Sequence, residues 1–228
     1  MNFIVQWHEE LESTNTFLRE RARTDAALAE GFTVAARSQT RGRGRGARDW
    51  TSPAGENLTF SILLRPAADT AKLASLPMAT ALAVSDLLAG FSCMAQLKWP
   101  NDVLVNDRKI CGILTESLAA GAVILGIGIN VNMTADTAAR IVPPATSLRI
   151  ITGRTFDLPG LLADFLASFS PRYSQWLAGG FASLRTGWES RAQKIGTATS
   201  RGIIAGYGAY GELLLRDGSG NVKSSWSD

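Results

Sequence analysis

The spacing of apolar and polar positions changes several times along the chain, and each change marks an element. Residues 2–7 alternate and predict a first strand. Ser13 or Thr14 then supplies an N-cap. Phe17, Leu18 and Arg21 begin a helical repeat that runs towards Glu30, with Gly31 as its stop. Residues 32–36 form a short strand, and residues 57–65 read as a central strand. An Ala/Leu-rich core helix follows over 70–91, with Pro77 in its first turns and Gly90 near its end. Two short strands then flank the turn Trp99-Pro100-Asn101-Asp102, which Lys98 and Asp102 bracket with a cation and a carboxylate. Asn106-Asp107-Arg108 turns the chain back into a strand over 109–116, and 122–132 is another, with Gly126 and Gly128 inside it. Glycine in a strand interior marks a bulge or a close approach of something to the backbone.

Helical periodicity returns at 147–151 and over 158–177, where Leu161, Leu162, Phe165, Leu166, Phe169 and Trp176 share one face. Gly179-Gly180 breaks that helix, and 181–191 continues as a further short one. From about Lys194 short β-prone runs alternate with turns, which predicts a small barrel-like β module. The pattern therefore gives an α+β chain: a mixed β-sheet packed against helices over 1–190, followed by the small module over 191–228.

One stretch belongs to no element. From Ser38 to Pro53 it carries Arg41, Arg43, Arg45 and Arg48 among Gly42, Gly44 and Gly46, with no large apolar residue before Trp50. Glycine lets backbone approach a ligand closely. Arginine offers a permanent charge and a planar fork of donors that fits carboxylate or phosphate. The stretch is read as a mobile cationic loop that closes over an anion. A solvated surface loop and an Arg/Gly nucleic-acid segment are the competing readings. A dinucleotide fingerprint on Gly42, Gly44 and Ala47 fails, because Asp49-Trp50-Thr51-Ser52-Pro53 opens no helix.

Composition narrows the classes. The chain has 228 residues, 46% of them hydrophobic, and a formal net charge of +3. A mild excess concentrated in one loop argues for a local anion site rather than a generally nucleic-acid-binding surface. Cys93 and Cys111 have no metal-ligand spacing and are expected as free thiols. His8 is the one histidine, expected at the surface, so no histidine triad or zinc cluster can be built. The N-terminus has no signal-like segment, and no apolar run of membrane-spanning length is evident, so a cytoplasmic location is expected.

Six stretches occur in one order over roughly residues 8–132. They are Ser13-Thr14-Asn15; Gln39 with Gly42-Arg43-Gly44-Arg45 and Arg48-Asp49-Trp50; Ser52-Pro53 with Gly55, Asn57 and Leu58; Lys98-Trp99-Pro100-Asn101-Asp102; Lys109 with Gly112-Ile113-Leu114; and Gly126 with Gly128-Ile129-Asn130. In that order and at those intervals they resemble the biotin protein ligases. The resemblance implies a class II synthetase-like catalytic fold with an SH3-like C-terminal barrel. It also implies a two-step reaction: biotin and ATP give biotinyl-AMP, and a lysine of a biotin carboxyl carrier protein then takes the biotinyl group. Lipoate ligases share the fold but are not expected to carry this Arg/Gly loop and the Lys-Trp-Pro-Asn-Asp turn together. A lipoate or octanoate enzyme is the runner-up reading, and an RNA-binding module a distant third.

By the same resemblance, Ser13, Thr14, Asn15, Gln39, Gly42, Arg43, Arg45, Lys109, Gly112, Leu114, Gly126 and Gly128 are expected around biotin. Arg43, Arg45, Arg48, Trp50, Asn101, Asp102 and Asn130 are expected around the nucleotide. Lys109, Arg45 and Asp102 are the expected catalytic residues, with Mg²⁺ bridging the phosphates and no protein metal site. Ala47 and Arg41 depart from the family pattern, and altered loop dynamics rather than loss of activity is expected from them. The short C-terminal module, ending Trp226-Ser227-Asp228, puts its role beside the site in doubt. No DNA-binding segment is expected before Ser13, so a ligase without repressor function is implied, and no membrane contact; a homodimer is left open.

Overall fold

The computed structural model describes residues 1–67 and 70–226; Ala68, Asp69, Ser227 and Asp228, and the side chains of Ala47 and Thr70, lie outside the described residues. The elements in chain order are β1 (Ile4–Leu11), α1 (Thr14–Thr24), β2 (Phe32–Gln39), β3 (Asn57–Leu64), α2 (Thr70–Leu73), α3 (Leu76–Ala89), β4 (Gln96–Lys98), β5 (Asp102–Val105), β6 (Arg108–Ser117), β7 (Val123–Asn130), α4 (Ala135–Ala139), α5 (Leu148–Thr152) and α6 (Leu158–Glu189). β8 (Ala198–Thr199), β9 (Gly202–Tyr207), β10 (Leu213–Arg216) and β11 (Val222–Ser225) close the chain.

The first seven strands form one mixed sheet in the order β1-β2-β3-β7-β6-β5-β4. β1 and β2 run parallel, and the remaining neighbours are antiparallel. β3 and β7 lie at the centre and are buried along their whole length. Their two faces differ, as the period of two requires. Leu58, Phe60, Ile62 and Leu64 of β3 join Leu125, Ile127 and Ile129 of β7 in the main core under α3 and α6. The intervening positions face the other way. There Leu63 and Ile124 pack with Leu18 of α1, while Asn57, Thr59 and Ser61 are buried polar groups.

α6 owes its register to aromatic residues spaced three or four apart. Phe165, Phe169, Tyr173 and Trp176 stack in sequence, with centroid separations of 5.7, 5.5 and 5.8 Å. Asp157 caps its start by accepting from the Gly160 amide at 2.9 Å. Gly180, at φ 57° and ψ −149°, kinks the helix where the glycine pair predicted a break. Asp86 of α3 takes Arg172 and Arg191 at 2.7 Å each, tying α3 to the middle of α6 and to the residues just past its end. Burial alone would raise the Asp86 carboxyl, but the two arginines outweigh it and hold the carboxyl below its usual range.

The last four strands form an antiparallel sheet, β11-β10-β9-β8, consistent with the small barrel-like module expected. Its apolar side is continuous with the main core through Ile204, Tyr207, Leu213 and Leu215. The Trp99 indole donates to the Gly211 carbonyl at 2.9 Å, and Arg185 donates to the carbonyls of Tyr207 and Gly208. The module is thereby pinned beside the Trp99-Pro100 turn.

Several boundaries differ from the sequence reading. β1 continues to Leu11 and carries His8, whose ring is half-buried 4.6 Å from that of Phe17 rather than at the surface. α1 stops at Thr24, because the Asp25 backbone caps it; Glu30 instead receives the Tyr173 hydroxyl and the Arg65 amide. The single helix expected over 70–91 is two, with a break before Leu76. The stretch Ala71–Ala89 is long and apolar enough to cross a membrane by length and composition, contrary to the sequence reading. Two-thirds of it is buried in the core, which explains its hydropathy. α4 was not anticipated.

Candidate active site

Strand register brings distant glycines together. Thr59, Gly128, Gly112 and Asp102 lie opposite one another across four strands, and Ser61, Gly126 and Leu114 form the next row. Because side chains alternate, all of these lie on the face that does not touch α3 and α6. The absence of side chains at Gly112, Gly126 and Gly128 leaves a hollow over the sheet, and the N-terminus of α1 opens into it. A Cβ on Gly126 would sit 2.2 Å from Asn15 Oδ1, and one on Gly128 would sit 2.4 Å from the Trp50 indole. Both positions are therefore closed to any side chain while those neighbours stay.

On the α1 side the polar rim is hydrogen-bonded within itself. Ser13 caps α1, with its hydroxyl accepting from the Thr16 amide. Gln39 Oε1 accepts from the Thr14 amide at 2.8 Å. Ser61 Oγ lies 2.8 Å from Thr14 Oγ1 and 2.5 Å from Asn15 Oδ1. Asn15 Nδ2 donates to Glu116 Oε2 at 2.7 Å. A buried polar network of this kind holds its members in one arrangement only when each is satisfied.

The Arg/Gly stretch is a docked hairpin over this hollow. Arg43 bridges to Asp49, the Gly44 amide donates to Arg48 O at 2.7 Å, and the Trp50 amide donates to Gly42 O at 2.9 Å. Gly42 is required there, since a Cβ would sit 2.3 Å from Trp50 O. Gly46 makes the turn at φ 66°. The base is tied down by Thr40 to Leu11, by Arg41 to the Glu12 carbonyl, and by an Arg41–Glu12 ion pair at 2.5 Å. Trp50 lays its indole over Gly112 and Gly128, with Nε1 buried and without a hydrogen-bond partner. With Trp50 in place the hollow keeps only about 40 Å³ of free space, room for little more than water. Larger clefts flank it. One of about 760 Å³ lies against Glu12 and Arg41. Another of about 580 Å³ lies between Trp99, Pro100, Pro77 and Trp226.

Lys109 stands at one edge. Its ammonium pairs with Asp102 at 2.6 Å and sits 5.8 Å from the Trp50 ring centroid. Lys98 lies opposite Asp102 in register but is exposed, so the cation that the carboxylate meets is Lys109 and not the one next in the motif. Asn130 donates to the Lys109 carbonyl at 3.2 Å and Asn101 to the Ile113 carbonyl at 2.8 Å, which fixes the β6 backbone under the site. Cys111, between them, is fully buried. Burial pushes its thiol well above the usual range, Lys109 only partly opposing this, so it offers no thiolate.

Of the residues expected from sequence, Ser13, Thr14, Asn15, Gln39, Arg43, Arg45, Trp50, Asn101, Gly112, Leu114, Gly126 and Gly128 line one hollow. Gly42 lines the adjoining mouth. Lys109, Asp102 and Asn130 stand just outside it along β5–β7. Arg48 turns back into its own loop, with Nε donating to Arg45 O at 3.0 Å. Sequence reasoning missed Thr59, Ser61 and Glu116. Their signal was present as polar residues alternating with apolar ones in β3 and as the i, i+2, i+4 row Gly112, Leu114, Glu116 in β6. It also doubted the C-terminal module, yet Arg45 Nη2 donates to the Trp226 carbonyl at 3.0 Å, so the last described residue reaches the site loop. Among the described residues no cluster of His, Cys, Asp or Glu could hold a metal.

A hollow rimmed by arginines, with a lysine at its edge, suits a reaction in which two anions must meet. Comparison with known proteins agrees. The family described as the biotin/lipoate A/B protein ligase family matches residues 7–133. A biotin–[acetyl-CoA-carboxylase] ligase of Paracoccus denitrificans is 37% identical, with 87% of this chain and 94% of that protein aligned. The bifunctional ligase/repressor BirA of Bacillus subtilis is 36% identical over 95% of this chain and 70% of that protein. The biotin protein ligase of Aquifex aeolicus, solved in complex with biotin and ATP, superposes with a TM-score of 0.81 at 31% identity, covering 98% of this chain and 95% of that one. The motif order, the glycine-floored hollow and these matches converge, and the chain belongs to the biotin/lipoate A/B protein ligase family.

Proposed function

We infer that the chain is an ATP-dependent biotin protein ligase acting on the biotin carboxyl carrier domain of a carboxylase. The observation that carries this reading is the glycine-floored hollow whose rim presents both donors and acceptors (Thr14, Asn15, Gln39), which suits a ureido ring. In the first step a biotin carboxylate oxygen attacks the α-phosphorus of ATP. The bond from that phosphorus to the bridging oxygen breaks, and pyrophosphate leaves. In the second, the neutral ε-amine of the carrier lysine attacks the acyl carbon, AMP departs, and the amine loses its proton. Arg43, Arg45 and Lys109 are assigned to the carboxylate and the phosphate, where fixed positive donors lower the cost of bringing two anions together. Asp102 is assigned to hold Lys109 and to receive the incoming lysine. Asn101, Asn130, Arg48 and Trp50 are assigned to the nucleotide side. Among the described residues no carboxylate cluster could hold a metal, and Mg²⁺ would enter with ATP, where it would neutralise phosphate charge. We divide the chain at residue 190 into a catalytic part and the small module, and place it in the cytoplasm, where ATP and reduced thiols are available.

The decisive test is ATP–pyrophosphate exchange with Mg²⁺, run with biotin, with lipoate and with neither. Biotin-dependent exchange is the expected result. Exchange with lipoate alone would keep the fold and change the substrate, and exchange with neither acid would sink the reading.

Ligand entry should be visible optically. Trp50 fills the space a bicyclic ligand needs, so it must swing aside. Adding biotin should change the emission of the wild-type protein, and the Trp50→Phe variant should lose that component of the change. An identical response in Trp50→Phe would show that the indole stays put. Arg45 holds the loop to the C-terminal segment through Trp226 O. Arg45→Gly removes that link together with a phosphate donor and should speed release of biotinyl-AMP by about tenfold or more. Release measured by filter binding at the wild-type rate would remove Arg45 from the clamp.

A further inference from the structure

We propose that Glu116 is a positioning residue of this site: it presets both the biotin-facing amide of Asn15 and the loop guanidinium of Arg43 before any ligand arrives. The proposal rests on the ligase reading for its consequence and on the geometry alone for its cause. A carboxylate beside a pocket built for anions needs an explanation, because like charge opposes the ligand. Glu116 is not idle there. It lies on the same face of β6 as Gly112 and Leu114, two residues past Leu114, and its side chain is 14% exposed. Oε2 accepts from Asn15 Nδ2 at 2.7 Å, and Oε1 accepts from Arg43 Nη2 at 2.6 Å and also from Arg19 of α1.

Two guanidiniums against one carboxylate leave the local charge positive, so attraction for an anion survives. What the carboxylate adds is direction. An amide can be turned either way, and with its nitrogen committed to Glu116, Asn15 must aim Oδ1 at Ser61 and the Gly126 floor. The same carboxylate stands in for a ligand anion at Arg43, which keeps the hairpin docked in the ligand-free protein. When the anionic ligand arrives, Arg43 has a second acceptor within its fork and Arg19 remains to satisfy Glu116.

The two arms differ in weight. Arg43 is 43% exposed, so its pairing with Glu116 is weak in energy and acts mainly on loop order. Asn15 is buried, so losing its charged acceptor is felt strongly. The test is Glu116→Gln, which keeps the shape and removes the charge. A glutamine cannot accept from all three partners. In biotin-dependent pyrophosphate exchange its KM for biotin should rise about tenfold, with kcat changed far less. The ligand-free variant should also be cut faster by trypsin within the 41–48 loop. The double variant Asn15→Ala, Glu116→Gln should have the biotin KM of Asn15→Ala alone, because the acceptor acts through that amide. Glu116→Asp, which keeps the charge, should restore loop protection, and Glu116→Ala replaces the glutamine variant in every assay if that one does not fold. Full additivity of the two single effects, or an unchanged KM together with unchanged loop cleavage, would overturn the proposal. The tryptic pattern needs no substrate, so it judges Glu116 even if the wild-type enzyme proves to use another acid.

Discussion

Replacing Lys109 with glutamine should slow biotin-dependent pyrophosphate exchange by a factor of about 10² to 10³, the loss seen when one preorganised donor to a developing charge is removed. The backbone of Lys109 is fixed on three sides. Its amide donates to Pro144 O at 3.0 Å, and its carbonyl accepts from Thr146 N at 2.9 Å and Asn130 Nδ2 at 3.2 Å. The ammonium is therefore delivered to one place, beside Asp102 and over the edge of Trp50. Glutamine reaches nearly as far but brings no charge, at the step where carboxylate meets phosphate. It also strips Asp102 of its cation and leaves a carboxylate facing the incoming anions. The loss should fall mainly on kcat, because the charge matters most in the transition state. Exchange within a few-fold of wild type would show that Lys109 is a structural partner of Asp102 and nothing more.

Gly126→Ala should raise the KM for biotin by about tenfold to a hundredfold and, through overpacking, lower the melting temperature by roughly 2–10 °C. The backbone at Gly126 is in an ordinary strand conformation, so alanine costs nothing in φ. The new methyl, however, meets Asn15 Oδ1 at 2.2 Å, and Asn15 is held from both ends by Ser61 and Glu116. It cannot retreat without breaking the network that shapes the hollow. Gly128→Ala is the informative contrast. Its methyl meets Trp50, which rides on a loop and must move for ligand in any case. The Gly128 variant should therefore lose less affinity than the Gly126 variant. The reverse order in binding titrations would mean that Trp50, not Asn15, is the rigid wall.

Much of this site was legible in the chain because its chemistry is carried by short local motifs. Ser13-Thr14-Asn15 caps a helix and Asn106-Asp107 turns β5 into β6, each dictated by neighbours in sequence, whereas Gly42 to Trp50 read as a mobile cationic loop and its docked hairpin came only from the fold. The helix over 158–177 and its break at the glycine pair were equally local, set by a 3.6-residue stripe and a residue that tolerates φ above zero. Boundaries erred where tertiary contacts overrode local pattern. α1 ends early because Glu30 is wanted by Tyr173 and Arg65, and His8 is half-buried because α1 lays Phe17 across it.

What the chain alone determined was most of the elements, though not α4 or the break before α3, together with the positive loop and the residue types able to hold two anions. Which of them face one another was decided only by strand register between segments far apart in sequence. That register puts Gly112 opposite Gly128 and Gly126 opposite Ser61; it pairs Lys98 with Asp102, yet the side chain that reaches the carboxylate is that of Lys109. Packing of α1 and of the loop on that sheet carries Asn15 to Glu116 across 101 residues and Arg45 to Trp226 across 181. Periodicity in sequence reports the face of an element, but not its partner. The partner is chosen when the two faces of β3 and β7 bury different surfaces, one apolar against α3 and α6, the other polar against α1 and the loop. A one-residue slip there would exchange the core and the active site.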